Sequence, residues 1–168
     1  YIAIGDSSNG DHLIRNRKLI KSLKSLINIL YYEYPNLSEL QATYRLVTNT
    51  KTPYVAELQD DNFIVPKGIN ECIKFLDSNP DFSAARGLGL SVKTYDSNVH
   101  GKIRKCVLKK QPDSEENNPS ERFLRIMGDY SDVHFSVHRT GVYLTVINNM
   151  HIQDSLFFKI LATAHTFI

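Results

Sequence analysis

The stretch Tyr54-Val55-Ala56-Glu57-Leu58-Gln59-Asp60-Asp61-Asn62-Phe63-Ile64-Val65-Pro66 carries two adjacent carboxylates at the end of an apolar run. Asp60 and Asp61 repel each other unless a cation or hydrogen bonds offset the charge. In an open α/β sheet, ligands sit outside the carboxyl ends of the strands. Hard oxygen donors at such a position suit Mg²⁺ or Mn²⁺, and those ions suit a diphosphate. A surface turn is the competing reading of any Asp-Asp pair. The apolar residues on both sides favour the ligand role here.

Three further groups are chemically suggestive. Asp6-Ser7-Ser8 follows a short apolar run, so in a parallel sheet it shares the ligand edge with Asp60. Asp6 is suited to accept from a base N–H or a ribose hydroxyl, and equally to cap the next helix through an N-cap or Asx turn. Asp154 lies at the start of a predicted last helix. There it is either an acidic residue favoured by the helix dipole or a general base for an acceptor hydroxyl. His134 and His138 share one face of a predicted strand, but two histidines without a third ligand favour polar packing over zinc. Arg139 can contact a diphosphate or pair with an acidic neighbour. Nucleophilic triads, Gly-rich phosphate loops and zinc-ribbon spacings are absent.

The elements that must position these groups read as alternating strands and helices. Tyr1 to Gly5 is a strand, and the loop Asp6 to Asp11 leads into an amphipathic helix from His12 to Tyr34. Arg15, Arg17, Lys18, Lys21 and Lys24 form its solvated basic face. Tyr44 to Thr48 and Tyr54 to Leu58 read as strands. Pro66 opens a helix that ends at Asn79-Pro80-Asp81. Phe82 to Val92 is a strand region in which Gly87 and Gly89 suggest a bulge or close approach. Lys102 to Lys109 is a strand, Lys110 to Ser120 a polar segment expected to be a mobile loop or a lid, and Glu121 to Met127 a short helix. Val133 to His138 alternates like a strand, and two helices, Gly141 to Met150 and Ile152 to Phe167, close the chain. This alternation predicts an α/β domain with a largely parallel sheet.

Composition narrows the function classes. The 168 residues suit a single domain of about 100–200 residues, so residues 1–168 are read as one unit. The net charge of +2 and pI near 8.5 are too mild to point to nucleic acid, whose dedicated domains exceed a pI of about 9. No apolar stretch approaches the roughly 20 residues of a membrane-spanning helix. Cys72 and Cys106 have no metal-type spacing and read as two buried free thiols. The opening residues already read as a strand, which implies a start inside a domain.

With these residues in view, the chain resembles the inverting family-two glycosyltransferases of the A-type fold. It is most similar to a bacterial subgroup whose metal loop reads D-D-D-F-I-x-P. The matching segments are Asp60-Asp61-Asn62-Phe63-Ile64-Val65-Pro66, Asn79-Pro80-Asp81-Phe82-Ser83-Ala84-Ala85-Arg86-Gly87 and Ser136-Val137-His138-Arg139-Thr140. Ile2-Ala3-Ile4-Gly5-Asp6-Ser7-Ser8 resembles the family's second strand and its nucleotide-contacting loop. The resemblance implies a three-layer α/β/α domain with a mostly parallel, Rossmann-like mixed sheet, here without the strand that precedes Tyr1. It also implies transfer of a sugar from a nucleoside-diphosphate-sugar donor to a carbohydrate or other hydroxyl acceptor, with inversion and with Mn²⁺ or Mg²⁺.

On that resemblance Asp6, Ser7, Ser8, Asp60, Arg86 and Arg139 contact the nucleotide-sugar, Asp60 and Asp61 hold the metal, and Asp154 is the catalytic base. Asn62 departs from the subgroup's third aspartate. A cytoplasmic location is expected, in keeping with two free thiols in a reducing compartment, and peripheral association with the inner face of the membrane is compatible with it. The competing expectations are a catalytically degenerate domain of the same fold and a basic nucleic-acid module built on the helix around Lys18 and Lys21. The resemblance argues against nucleic acid.

Overall fold

The structure is a computed structural model that describes residues 1–59, 62–96, 101–109, 113–128 and 135–152. The fold is mixed α/β, with helices packed on small sheets.

The chain opens with β1 (Ile2–Asp6), α1 (Gly10–Leu23) and β2 (Ile29–Glu33). The two strands pair in parallel, from Ile2 opposite Ile29 to Asp6 opposite Glu33. A parallel pair needs a crossover, and α1 supplies it. The single helix expected from His12 to Tyr34 therefore divides. Leu26 and Ile27 both donate their N–H groups to the Leu23 carbonyl, which ends the helix in a turn. Beyond it, Ile29-Leu30-Tyr31-Tyr32 is β-branched and aromatic, the composition that fits a pleated surface. Ile29 is buried and Leu30 exposed, a strand's alternation that a three-and-four count of apolar residues conceals.

Next comes α2 (Glu39–Thr48), where a strand was expected over Tyr44 to Thr48. Its start is a capping box. The Ser38 hydroxyl accepts from the Gln41 N–H at 3.3 Å, and the Gln41 side chain accepts from the Ser38 N–H at 3.0 Å. Ala42 and Val47 are buried from this helix, so packing overrides the β-prone character of Tyr44, Val47 and Thr48. Gly5 lies close to it: a Cβ there would meet Leu46 Cδ1 at 3.0 Å.

The chain continues through β3 (Tyr54–Ala56), α3 (Pro66–Ser78), β4 (Ala84–Ala85), β5 (Gly89–Thr94), β6 (Ile103–Lys109), α4 (Pro119–Gly128), β7 (Val137–Arg139) and α5 (Thr140–Ile152). β7 lies between β3 and β4 and runs antiparallel to both, while β5 and β6 form a separate antiparallel hairpin. The mostly parallel sheet that was expected is therefore not what the described strands form. One of their pairings is parallel and three are antiparallel. Of the bulge or close approach expected around Gly87 and Gly89, the bulge falls instead between Lys93 and Thr94, and a Cβ at Gly89 would meet Lys109 Cβ only at an ordinary 3.4 Å.

Alternation along β3 divides its side chains between two cores. Val55 packs with Val47, Tyr143 and Ile147 of α2 and α5. Tyr54 and Ala56 pack with Cys72, Leu76 and Val137, beside Ile69 and Phe82. Leu76 is fully buried, and burial of a leucine side chain stabilises by about 1.5–3 kcal/mol. Cys72 is buried as expected, whereas Cys106 is exposed, as is every residue of β6. The polar segment before α4 is tied down at residues 113–118. Arg125 Nε donates to the Asp113 carbonyl at 2.7 Å, and Arg122 Nη1 donates to the Glu116 carbonyl at 2.5 Å. α5 continues through Ile152, where a second helix was expected to begin, and residues 153–168 lie outside the described residues.

Candidate functional site

Asp6 ends β1 and is buried, with 7% of its surface exposed. Its Oδ1 accepts from the Ser8 N–H at 2.9 Å, which closes an Asx turn. Its Oδ2 accepts from Asn16 Nδ2 at 2.9 Å and from the Tyr31 hydroxyl at 2.5 Å. Asn16 also reaches Ser8 Oγ at 3.3 Å. Burial alone would raise the Asp6 pKa, but the hydrogen bonds from Tyr31, Ser8 and Asn16 outweigh it and hold it at about 2. Burial and the Asp6 contact push the Tyr31 hydroxyl upward, so it stays a donor.

Gly10 follows with φ +57°, a left-handed turn into α1 that suits glycine. Ser7 is exposed and Ser8 half-buried. Of the two roles open to Asp6, the loop-shaping one is visible directly. Asn16 and Tyr31 were not recognised from sequence. An asparagine within a helix is a weak signal that its amide serves something outside that helix.

Beside this cluster, Glu33 at the end of β2 takes a bidentate pair from Arg17 at 2.6 and 2.5 Å. This engages one cation of the basic face of α1.

At the end of β3, Glu57 accepts from the Tyr143 hydroxyl and, at 3.4 Å, from Thr43 Oγ1. Burial, then the Glu57 charge, drives the Tyr143 pKa upward. Glu57 thus couples β3 to α2 and α5, a role not read from sequence. Asn62 donates its N–H to the Gln59 carbonyl at 3.2 Å. Asp60 and Asp61 lie between them, outside the described residues, as do His134 and Asp154. Among the described residues no cluster of three or more His, Cys, Asp or Glu forms a metal site. His138 is buried and stacks on Tyr143, with ring centroids 4.7 Å apart.

Arg139 hydrogen-bonds mainly to backbone, with one long contact from Nη1 to the Tyr54 hydroxyl at 3.5 Å. Its Nε donates to the Phe82 carbonyl at 2.8 Å, and its Nη2 to the carbonyls of Leu76 at 2.6 Å and Asn79 at 3.3 Å. Its guanidinium also lies 5.8 Å from the Tyr54 ring centroid. It therefore satisfies carbonyls at the end of α3 and ties β7 to that helix. No acidic side chain bonds to it among the described residues.

Arg86 lines a cavity of about 870 Å³ between α3, the 81–87 strand region and the 113–122 segment. Its walls include Glu71, Asp81, Phe82, Arg122 and Ser136. The Ser136 hydroxyl is buried and has no hydrogen-bond partner among the described residues. Pairing fixes the position of this cavity. Ala56 of β3 and Ala85 of β4 both oppose Val137, the first residue of β7, so Ser136 stands just beyond the carboxyl ends of both strands. Asp6 and Ser8 are brought together at the end of β1, while Arg86 is placed at the ends of β3 and β4. Among the described residues β1 and β3 are not paired, but α2 packs against both β1 and α5.

No protein-family model matches this chain, and no curated protein is significantly similar to it.

Proposed function

We propose that this chain is a glycosyltransferase domain of the A-type fold. It would move a sugar from a nucleoside-diphosphate-sugar to an acceptor hydroxyl by a single inverting displacement. The observation that carries this reading is the cavity beyond the carboxyl ends of β3 and β4, lined by Arg86 and Ser136; in the sequence the Asp60-Asp61 pair follows shortly after β3. That sheet edge is where α/β domains bind their ligands. On this reading the small sheets are parts of one Rossmann-like mixed sheet in a three-layer α/β/α domain, with α2 and α5 on one face and α3 on the other.

The roles follow from chemistry. Asp6, ionised at neutral pH, accepts from the base or ribose through whatever lone-pair capacity its internal donors leave. Ser7, exposed beside it, offers a hydroxyl. Arg86 offsets charge on the diphosphate. The donor set of two carboxylates and the Asn62 amide oxygen fits Mg²⁺ or Mn²⁺, because all three are hard oxygen ligands. When bound, such an ion neutralises charge developing on the leaving diphosphate. Asp154 takes the proton from the acceptor hydroxyl as its oxygen attacks the anomeric carbon. Arg139 acts as a positioning residue that holds β7, and therefore Ser136, in place.

The partners are the nucleotide-sugar and a carbohydrate or other hydroxyl acceptor, without nucleic acid, in a cytoplasmic setting. No described helix is long and apolar enough to cross a membrane. One observation favours a catalytically degenerate domain of the same fold: both Asp6 carboxylate oxygens are already engaged by internal donors. Hydrolysis of UDP- and GDP-sugars with Mn²⁺ separates the two. An active domain turns them over slowly, and Asp154→Asn abolishes the turnover while nucleotide binding persists. Normal turnover by Asp154→Asn would remove that residue from the role of base.

A further inference from the structure

We propose that the β5–β6 hairpin docks on an anionic lipid surface. Among the described strands, β5 and β6 pair only with each other, and an isolated two-stranded hairpin is marginal in water. Residues that face each other across an antiparallel pair share a face. Leu90 therefore joins Leu108, Val92 joins Cys106, and Thr94 joins Ile103. On the opposite face Gly89 joins Lys109, Ser91 joins Val107, and Lys93 joins Lys105.

The register shift between Lys93 and Thr94 skips Arg104. Regular pairing would set Arg104 among the apolar side chains, so the bulge brings Ile103 into that face instead. No described element covers this face: Leu90 is 64% exposed, Val92 50%, Ile103 64% and Leu108 45%. Exposed apolar patches of this kind mark interaction surfaces.

Charge selects the occupant. Lys93 faces Lys105 directly, an arrangement that destabilises a strand pair. None of Lys93, Lys102, Arg104, Lys105 and Lys109 pairs with a carboxylate among the described residues. A second copy stacked on the apolar face would cover it but bring two such cationic hairpins together. Nucleic acid would supply phosphate without hydrocarbon. An anionic bilayer supplies both. The apolar face enters the headgroup boundary by about 5–10 Å, and the long lysine stems carry their ammonium groups to the phosphates.

The test is co-sedimentation of the full chain with phosphatidylcholine vesicles, with and without phosphatidylglycerol, at low and high salt. Binding to the anionic vesicles alone, weakened by salt, is the expected result. Lys93→Gln with Lys105→Gln lowers partitioning about fivefold per lysine, the factor equivalent to about 1 kcal/mol for a basic residue at such a surface. Leu90→Asp with Leu108→Asp abolishes it.

A fluorophore on Cys106, the exposed thiol of the apolar face, reports insertion in the otherwise native chain by a blue shift on the anionic vesicles. Absence of binding, equal binding to both vesicle types, or binding that survives both double variants overturns the proposal. So does a solution dimer that Leu90→Asp dissociates in a chain indifferent to vesicles, which would assign the face to a second copy.

Discussion

Replacing Asp6 by asparagine tests whether a buried, ionised carboxylate organises the end of β1. The Asp6 pKa falls from an ordinary 3.8 to about 2, because donors from Tyr31, Ser8 and Asn16 outweigh the cost of burial. The folded state therefore holds its proton more weakly than the unfolded state. The resulting stability is complete above the unfolded pKa and is lost as pH falls through 3.8 towards 2. Converted at 1.36 kcal/mol per pH unit, the displacement corresponds to about 2 kcal/mol, which screening at this loop edge reduces to about 1–2 kcal/mol.

The asparagine introduced by Asp6→Asn accepts through one oxygen only. Its amide would turn a donor toward the Tyr31 hydroxyl or the Asn16 amide, so the loss at pH 7 reaches at least that figure. Urea unfolding of both proteins at pH 7 and at pH 2.5 measures it. The difference in stability between them is expected to be at least about 1–2 kcal/mol at pH 7 and to shrink by about 1 kcal/mol at pH 2.5. Other carboxylates titrate in both proteins and cancel. A difference independent of pH would refute the ionised, hydrogen-bonded carboxylate.

Three substitutions probe the scaffold. Leu76→Ala empties a fully buried position between α3 and the sheet and should cost about 2–5 kcal/mol in chemical denaturation. Arg139→Lys keeps the charge but cannot fork across the carbonyls of Leu76, Asn79 and Phe82. A loss of about 1–3 kcal/mol is expected in thermal unfolding, and an unchanged midpoint would show these contacts to be dispensable. Ser38→Ala removes the capping box of α2 and should cost about 1 kcal/mol, read from urea midpoints, with Ser38→Asp recovering most of it.

Elements with a local signature were legible in the sequence. Pro66 marks the first turn of α3, and Asn79-Pro80 its end. The apolar run at Tyr54 gives β3, and the strand expected over Lys102 to Lys109 matches β6. Ser38 and Gln41 also carried the start of α2 in plain sight, but the β-prone residues at 44–48 drew the reading toward a strand. The division of 12–34 into α1 and β2 was concealed because Ile27, Leu30 and Tyr34 continue the helical spacing by coincidence.

The candidate site was less legible, because its partners are distant in the chain. Tyr31 reaches Asp6 across the β1–β2 pair, and Tyr143 reaches Glu57 across 86 residues. Arg139 binds carbonyl oxygens, which every residue has and no motif encodes. The Asp6 loop could be located from its turn chemistry, but only the fold shows that its carboxylate is engaged from three sides.

The proposed function rests on a metal-dependent nucleotide site built on the segment that follows β3. Calorimetric titration of UDP and GDP into the protein, with and without Mn²⁺, tests it most directly. Binding of one nucleotide that requires Mn²⁺ and disappears in Asp61→Ala, with the folded state intact by circular dichroism, is the predicted result. Absence of binding by either nucleotide in the presence of Mn²⁺, or binding indifferent to both the metal and Asp61→Ala, would contradict it.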